Sequence, residues 1–151
     1  ARRWKGTRLV AFAADRSPLG RPTLVVNADG GAIDNLTVPS DVVSGYAPPG
    51  QSLVCVSVRD DAPTDDEPLG GAVREQAAGW FGEAALRWRR LAVVRVDRAL
   101  PDESPAARRL RAADGRLAPG LFLCGDHCSS ASINGALVSG RRCAEAVLAT
   151  A

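Results

Sequence analysis

Gly120-Leu-Phe-Leu-Cys-Gly-Asp-His-Cys-Ser-Ser-Ala-Ser-Ile-Asn-Gly-Ala-Leu-Val-Ser-Gly-Arg-Arg-Cys-Ala-Glu-Ala-Val-Leu148 reads as a buried strand, a tight polar turn and a helix. Leu121 to Cys124 form the short apolar strand, with Cys124 as a small apolar residue inside it. Gly125-Asp126 then fall where a parallel strand ends, the place where open α/β sheets hold ligands. Gly125 lets a ligand approach the backbone closely. Asp126 is either an acceptor for a sugar or ribityl hydroxyl or a plain turn residue or helix cap. Ser129, Ser130 and Ser132 are all candidate N-caps. The helix beyond them aims its open N–H groups and positive dipole end at whatever lies over the turn, which suits a phosphate-bearing or electron-rich cofactor.

In that helix Ile133, Ala136, Leu137, Gly140, Ala144, Val147 and Leu148 share one face by their spacing. Gly135, Ala136 and Gly140 are small enough for close packing on a sheet or a cofactor. Arg141 and Arg142 point to solvent, or else one of them reaches a phosphate.

Upstream, strands and turns dominate residues 8–98. Leu9 to Ala14 and Thr23 to Asn27 are apolar runs separated by Arg16-Ser-Pro-Leu-Gly-Arg21. Asn35 to Ser40 is extended and turns at Pro39, and Tyr46-Ala-Pro-Pro-Gly50 forbids helix. Gln51 to Val58 alternates and is rich in β-branched residues, so it is a strand. Arg59 to Pro68 reads as an acidic loop. A helix follows over 71–81, with Val73, Ala77, Trp80 and Phe81 at helical spacing and Asp66 and Glu67 just ahead of it. Leu86 to Val96 reads as a strand and Asp97 to Ala118 as irregular. The fold class is therefore α/β, α+β in the N-terminal part, with antiparallel strands followed by a closing strand–helix unit. That unit needs a parallel neighbour, and nothing before residue 120 supplies one.

The 151 residues are 46% apolar and 24% charged, enough for a globular core. The net charge of +2 is interleaved, and Lys5 is the single lysine among 19 basic residues. Arg108, Arg109 and Arg111 form the densest basic cluster, too small for a nucleic-acid footprint. No apolar run approaches the roughly 18 residues of a membrane span. The start has neither an initiator Met nor the apolar core of a secretion signal. Four cysteines in a chain of this length read as reduced thiols of an intracellular protein. Cys124, His127 and Cys128 lack the paired spacing of a zinc site, so no metal is expected. His127 is the only histidine and no Gly-x-Ser-x-Gly elbow accompanies it, which argues against a hydrolase.

Leu121-Phe-Leu-Cys-Gly-Asp126 with Ser132-Ile-Asn-Gly-Ala-Leu-Val-Ser-Gly-Arg-Arg-Cys-Ala-Glu-Ala-Val147 resembles the C-terminal FAD motif of flavin-containing amine oxidases and the related phytoene desaturases and carotenoid isomerases. Residues 35–54 resemble substrate-domain strands of that superfamily, and residues 91–101 its return to the FAD domain. The resemblance implies an incomplete two-domain fold, with 1–98 part of a substrate-binding domain and 99–151 the C-terminal part of an FAD-binding domain. It implies that Gly125 and Asp126 contact the ribityl and pyrophosphate of FAD, and that Ser132, Ile133, Asn134 and Ala136 lie near the flavin ring and ribityl chain. The implied activity is hydride transfer from substrate to flavin, with no catalytic residue assigned.

The family's Gly-x-Gly-x-x-Gly fingerprint is not in these residues. The expectation is thus the C-terminal part of a flavoprotein whose N-terminal FAD-binding segment is missing, holding FAD weakly alone. The alternative is a non-catalytic remnant or interaction module without cofactor. His127 to Ser132 contain no Tyr or Trp to cage an amine, so a small apolar substrate is favoured over an amine. Lys5 is the one candidate for the lysine that family oxidases hold near the flavin. Membrane-surface association and a plastid address are suggested by the resemblance alone.

Overall fold

The computed structural model describes residues 4–101 and 115–150. The chain divides into two compact units, Thr7–Val96 and a second made of Ala1–Gly6 with Asp97–Ala151, the division falling inside two strands. The basic cluster Arg108, Arg109 and Arg111 and most of the polar stretch before Ala118 lie outside the described residues.

A five-stranded sheet in the order β2-β3-β4-β1-β5 organises the first unit. Its strands are β1 (Trp4–Ala14), β2 (Leu24–Val26), β3 (Ile33–Thr37), β4 (Ser52–Val58) and β5 (Arg89–Pro101). The pairs β2–β3, β3–β4 and β4–β1 are antiparallel. Alternation in β4 places Val54, Val56 and Val58 on one face, opposite Phe12, Val10 and Arg8 of β1. β3 reaches the same face by a bulge between Ile33 and Asn35. The extra residue shifts the two-residue period, so Ile33 and Leu36 are both fully buried despite their odd spacing.

Helix α1 (Pro39–Val42) is a single turn with proline in its first turn, as the turn at Pro39 leads one to expect. Helix α2 (Asp66–Phe81) covers the core face of the sheet with Leu69, Val73 and Ala77, one residue per turn. It begins five residues before the expected start at 71. Pro68 falls in its first turn, where no intrahelical N–H bond is lost, so the proline that reads as a loop marker opens the helix instead. Trp88 packs tilted on Phe12 at 5.9 Å and stacks on Phe81 at 6.4 Å between ring centroids.

Polar contacts fix the surroundings of this core. The Arg8 guanidinium donates to the carbonyls of Pro63, Arg59, Asp60 and Ala62 and so closes the loop after β4. Arg90 bonds Glu67 at 2.8 Å, and Arg95 bonds Asp66, joining the start of α2 to β5. The opposite sheet face carries Leu9, Ala11, Ala13, Leu53 and Cys55, all half-buried, and burial pushes the Cys55 thiol up from its ordinary pKa. β5 continues to Pro101, so residues 97–101 are strand where irregular structure is expected. Among the described residues no helix is long and apolar enough to cross a membrane.

Candidate functional site

In the second unit the closing motif folds as β6 (Arg116–Ala118), β7 (Leu121–Phe122), a 3-10 turn over Asp126–Cys128 and helix α3 (Ile133–Leu148). β7 is two residues long and pairs antiparallel with β6, not with a parallel neighbour. The expected buried strand Leu121 to Cys124 is therefore corrected: Leu121 and Cys124 are exposed, and Cys143 is the buried cysteine. With one partner strand of three residues, little of its surface is covered among the described residues.

Gly125 sits at the turn with φ 144°, in the region that favours glycine, and a Cβ there would come within 2.6 Å of the His127 ring. Its N–H donates to the hydroxyl of Ser139 at 3.2 Å. Asp126 Oδ1 accepts the His127 N–H at 2.7 Å, and Oδ2 has no partner among the described residues. The His127 imidazole lies over the Gly125 backbone, with Nε2 buried and unpartnered among those residues.

Ser132 is the N-cap of α3. Its Oγ accepts from Gly135 N–H at 3.0 Å and its carbonyl from Ala136 N–H at 3.0 Å. Ser130 braces it, with Oγ atoms 2.9 Å apart and the Ser132 N–H donating to the Ser130 carbonyl at 2.7 Å. These bonds use two of the four N–H groups that a helix start leaves open. The two that remain, on Ile133 and Asn134, have no partner among the described residues, and both residues are exposed.

The structure thus brings Ser132, Ile133, Asn134 and Ala136 into one helix turn, and Ser139 ties Gly125 to the same helix. The Ala136 amide and the Ser132 side chain are occupied in the cap. Sequence reasoning missed Ser139, Ser130 and the ring of His127. The available signal for Ser139 was its place four residues after Gly135 in a run of small side chains.

The buried face of α3 also differs from expectation. Gly135, Ser139 and Cys143 are buried, while Ile133 is 82% and Leu137 68% exposed. A Cβ on Gly135 would collide with the Ser130 carbonyl, so this stripe packs closely because its residues are small. Arg141 is exposed and pairs loosely with Glu145 at 3.8 Å. Among the described residues no group of three or more His, Cys, Asp or Glu side chains is placed to hold a metal.

The arrangement supplies two open backbone donors at a positive helix end, a free carboxylate oxygen and a backbone that a ligand can approach at Gly125. That donor set fits a flavin dinucleotide, which presents an electron-rich ring edge beside a polyol chain.

The family model described as flavin containing amine oxidoreductase matches residues 11–148. A crystal structure of an oxidoreductase from Methanosarcina mazei superposes with a TM-score of 0.61 at 15% identity, covering 96% of this chain and 35% of that one. The chain thus spans about a third of the length of that structure, and the likeness shows a shared fold. No curated protein matches the sequence.

Proposed function

The chain belongs to the flavin-containing amine oxidoreductase family, and on that premise we propose that it forms the flavin-facing turn and helix, and the substrate-facing sheet, of an FAD-dependent oxidoreductase. The observation that carries the reading is the pair of open amides on Ile133 and Asn134 beside the free Oδ2 of Asp126. The bound flavin would supply the redox chemistry, accepting hydride from a C–H or C–N bond of the substrate.

The protein's part is binding and electrostatics. The Ile133 and Asn134 N–H groups and the α3 dipole stabilise the negative charge of a reduced flavin ring. Asp126 Oδ2 accepts from a ribityl hydroxyl, and Gly125 admits the cofactor to the backbone. Ser132 and Ala136 act indirectly, by fixing the helix start. The exposed stripe of Ile133, Leu137 and Leu148 supports the reading that further polypeptide, carrying the ADP-binding fingerprint, covers α3. The half-buried face of Leu9, Ala11, Ala13 and Leu53 favours an apolar substrate.

The test is flavin content. The full reading frame that encodes this chain should purify with stoichiometric FAD, read from its visible absorbance, and Gly125→Val should lose it. This chain alone should bind FAD weakly. A full-length product free of flavin, or one that keeps FAD unchanged in Gly125→Val, would overturn the reading and favour a remnant without cofactor.

A further inference from the structure

A cavity of about 240 Å³ lies in the Thr7–Val96 unit, lined by Asp15, Arg16, Ala84, Arg87 and Trp88. We propose that it binds a small organic monoanion, a carboxylate carried on a flat apolar body. It belongs to a different compact unit from the Gly125 turn.

Its charges are unusual for this chain. Arg59, Arg74, Arg90, Arg95 and Arg141 each have a carboxylate partner. Arg16 and Arg87 have no side-chain hydrogen bond or ion pair among the described residues, and neither does Asp15, although all three line one cavity. Two guanidinium groups against one carboxylate leave a single positive charge, which a monoanion neutralises. A guanidinium fork matches a carboxylate through two parallel hydrogen bonds.

The walls are fixed from behind. Asp15 and Arg16 follow the buried Ala14 at the end of β1, and Ala84 and Arg87 flank the buried Ala85. The turn holding them is closed by the Ala85 N–H on the Gly82 carbonyl and the Trp88 N–H on the Ala85 carbonyl, at 3.1 and 3.2 Å. Trp88 is 5% exposed and locked against Phe12 and Phe81, so it presents a rigid flat surface rather than a mobile one. The volume falls below the roughly 300–1,000 Å³ of sites for drug-sized ligands, which limits the occupant to a small acid.

The probe is benzoate, with inorganic phosphate and chloride at matched ionic strength as the other arms. Trp4→Phe and Trp80→Phe together leave Trp88 as the sole indole reporter, and calorimetry on the unsubstituted chain gives a reading independent of those changes. Benzoate should shift the Trp88 emission saturably, and chloride should not. Arg16→Gln and Arg87→Gln should each weaken benzoate by about tenfold, the effect of one charge-assisted hydrogen bond. Asp15→Asn should tighten it by removing a like charge. No saturable response, equal affinity in both arginine variants, or phosphate binding as tightly as benzoate would overturn the proposal.

Discussion

The backbone N–H of Gly125 donates to the buried hydroxyl of Ser139 at 3.2 Å, fourteen residues along the chain. This single bond holds the turn after β7 against the second turn of α3. It makes the position of Asp126 depend on a helix residue that no ligand needs to touch.

Ser139→Ala should therefore leave the Gly125 N–H unpaired and cost about 1–2 kcal/mol. Urea denaturation measures the loss, and amide exchange at Gly125 should accelerate more than at Gly135, whose N–H bonds Ser132 instead. Unchanged protection at Gly125 would show that the bond does not restrain the turn.

Two glycines of α3 should respond in opposite directions. Gly140→Ala meets nothing within 4 Å and should stabilise the helix by about 0.5–1 kcal/mol. Gly135→Ala drives a methyl group into the Ser130 carbonyl and should destabilise by about 1–3 kcal/mol. Shifts of the thermal midpoint with the same sign for both would contradict the packing.

Gln76 pins the β2–β3 connection to α2. Its Oε1 accepts from Ile33 N–H at 2.9 Å and its Nε2 donates to the Gly30 carbonyl at 2.7 Å. Asn27 also donates to Gly30, so the Ile33 N–H is the group left stranded when Gln76 is removed. Gln76→Leu should cost about 1–3 kcal/mol. Gln76→Glu keeps the acceptor and should recover part of that loss in the same denaturation experiment.

Acid should weaken the junction of α2 and β5. A hydrogen bond from Arg95 lowers the pKa of Asp66, and one from Arg90 lowers that of Glu67. Groups whose folded pKa is depressed stabilise fully above the ordinary carboxylate range and lose that contribution as pH falls through the lowered values. Both carboxylates face solvent, so the effect is modest and salt-sensitive. Thermal midpoints measured between neutral and acidic pH should fall less steeply in Arg90→Gln/Arg95→Gln, and high salt should narrow the difference.

Local periodicity made β4, the run from Leu9 to Ala14 and the centre of α2 readable without a structure. Each depends on the alternation or spacing of side chains within one element. The early start of α2 was hidden because Pro68 is a loop residue in most contexts and a first-turn residue in this one. The bulge that returns Leu36 to the core was hidden because it appears only once β3 is paired with β4.

The candidate site divides in the same way. The order of turn, cap and helix from Gly125 to Leu148 is written in residue types: glycine for backbone freedom, serine for a cap and small residues for close packing. Three serines compete for the cap on sequence grounds. The choice of Ser132 follows from Ser130, whose carbonyl and hydroxyl both brace it. By itself the sequence determined which segments form strands and helices and which family they belong to, because those properties are local or repeated along the chain. Only the tertiary structure decided that α3 buries Gly135, Ser139 and Cys143 rather than its larger apolar stripe, and that Ser139 anchors Gly125. Backbone-to-backbone approach is limited by the smallest side chains, a limit that spacing of hydrophobic residues does not register.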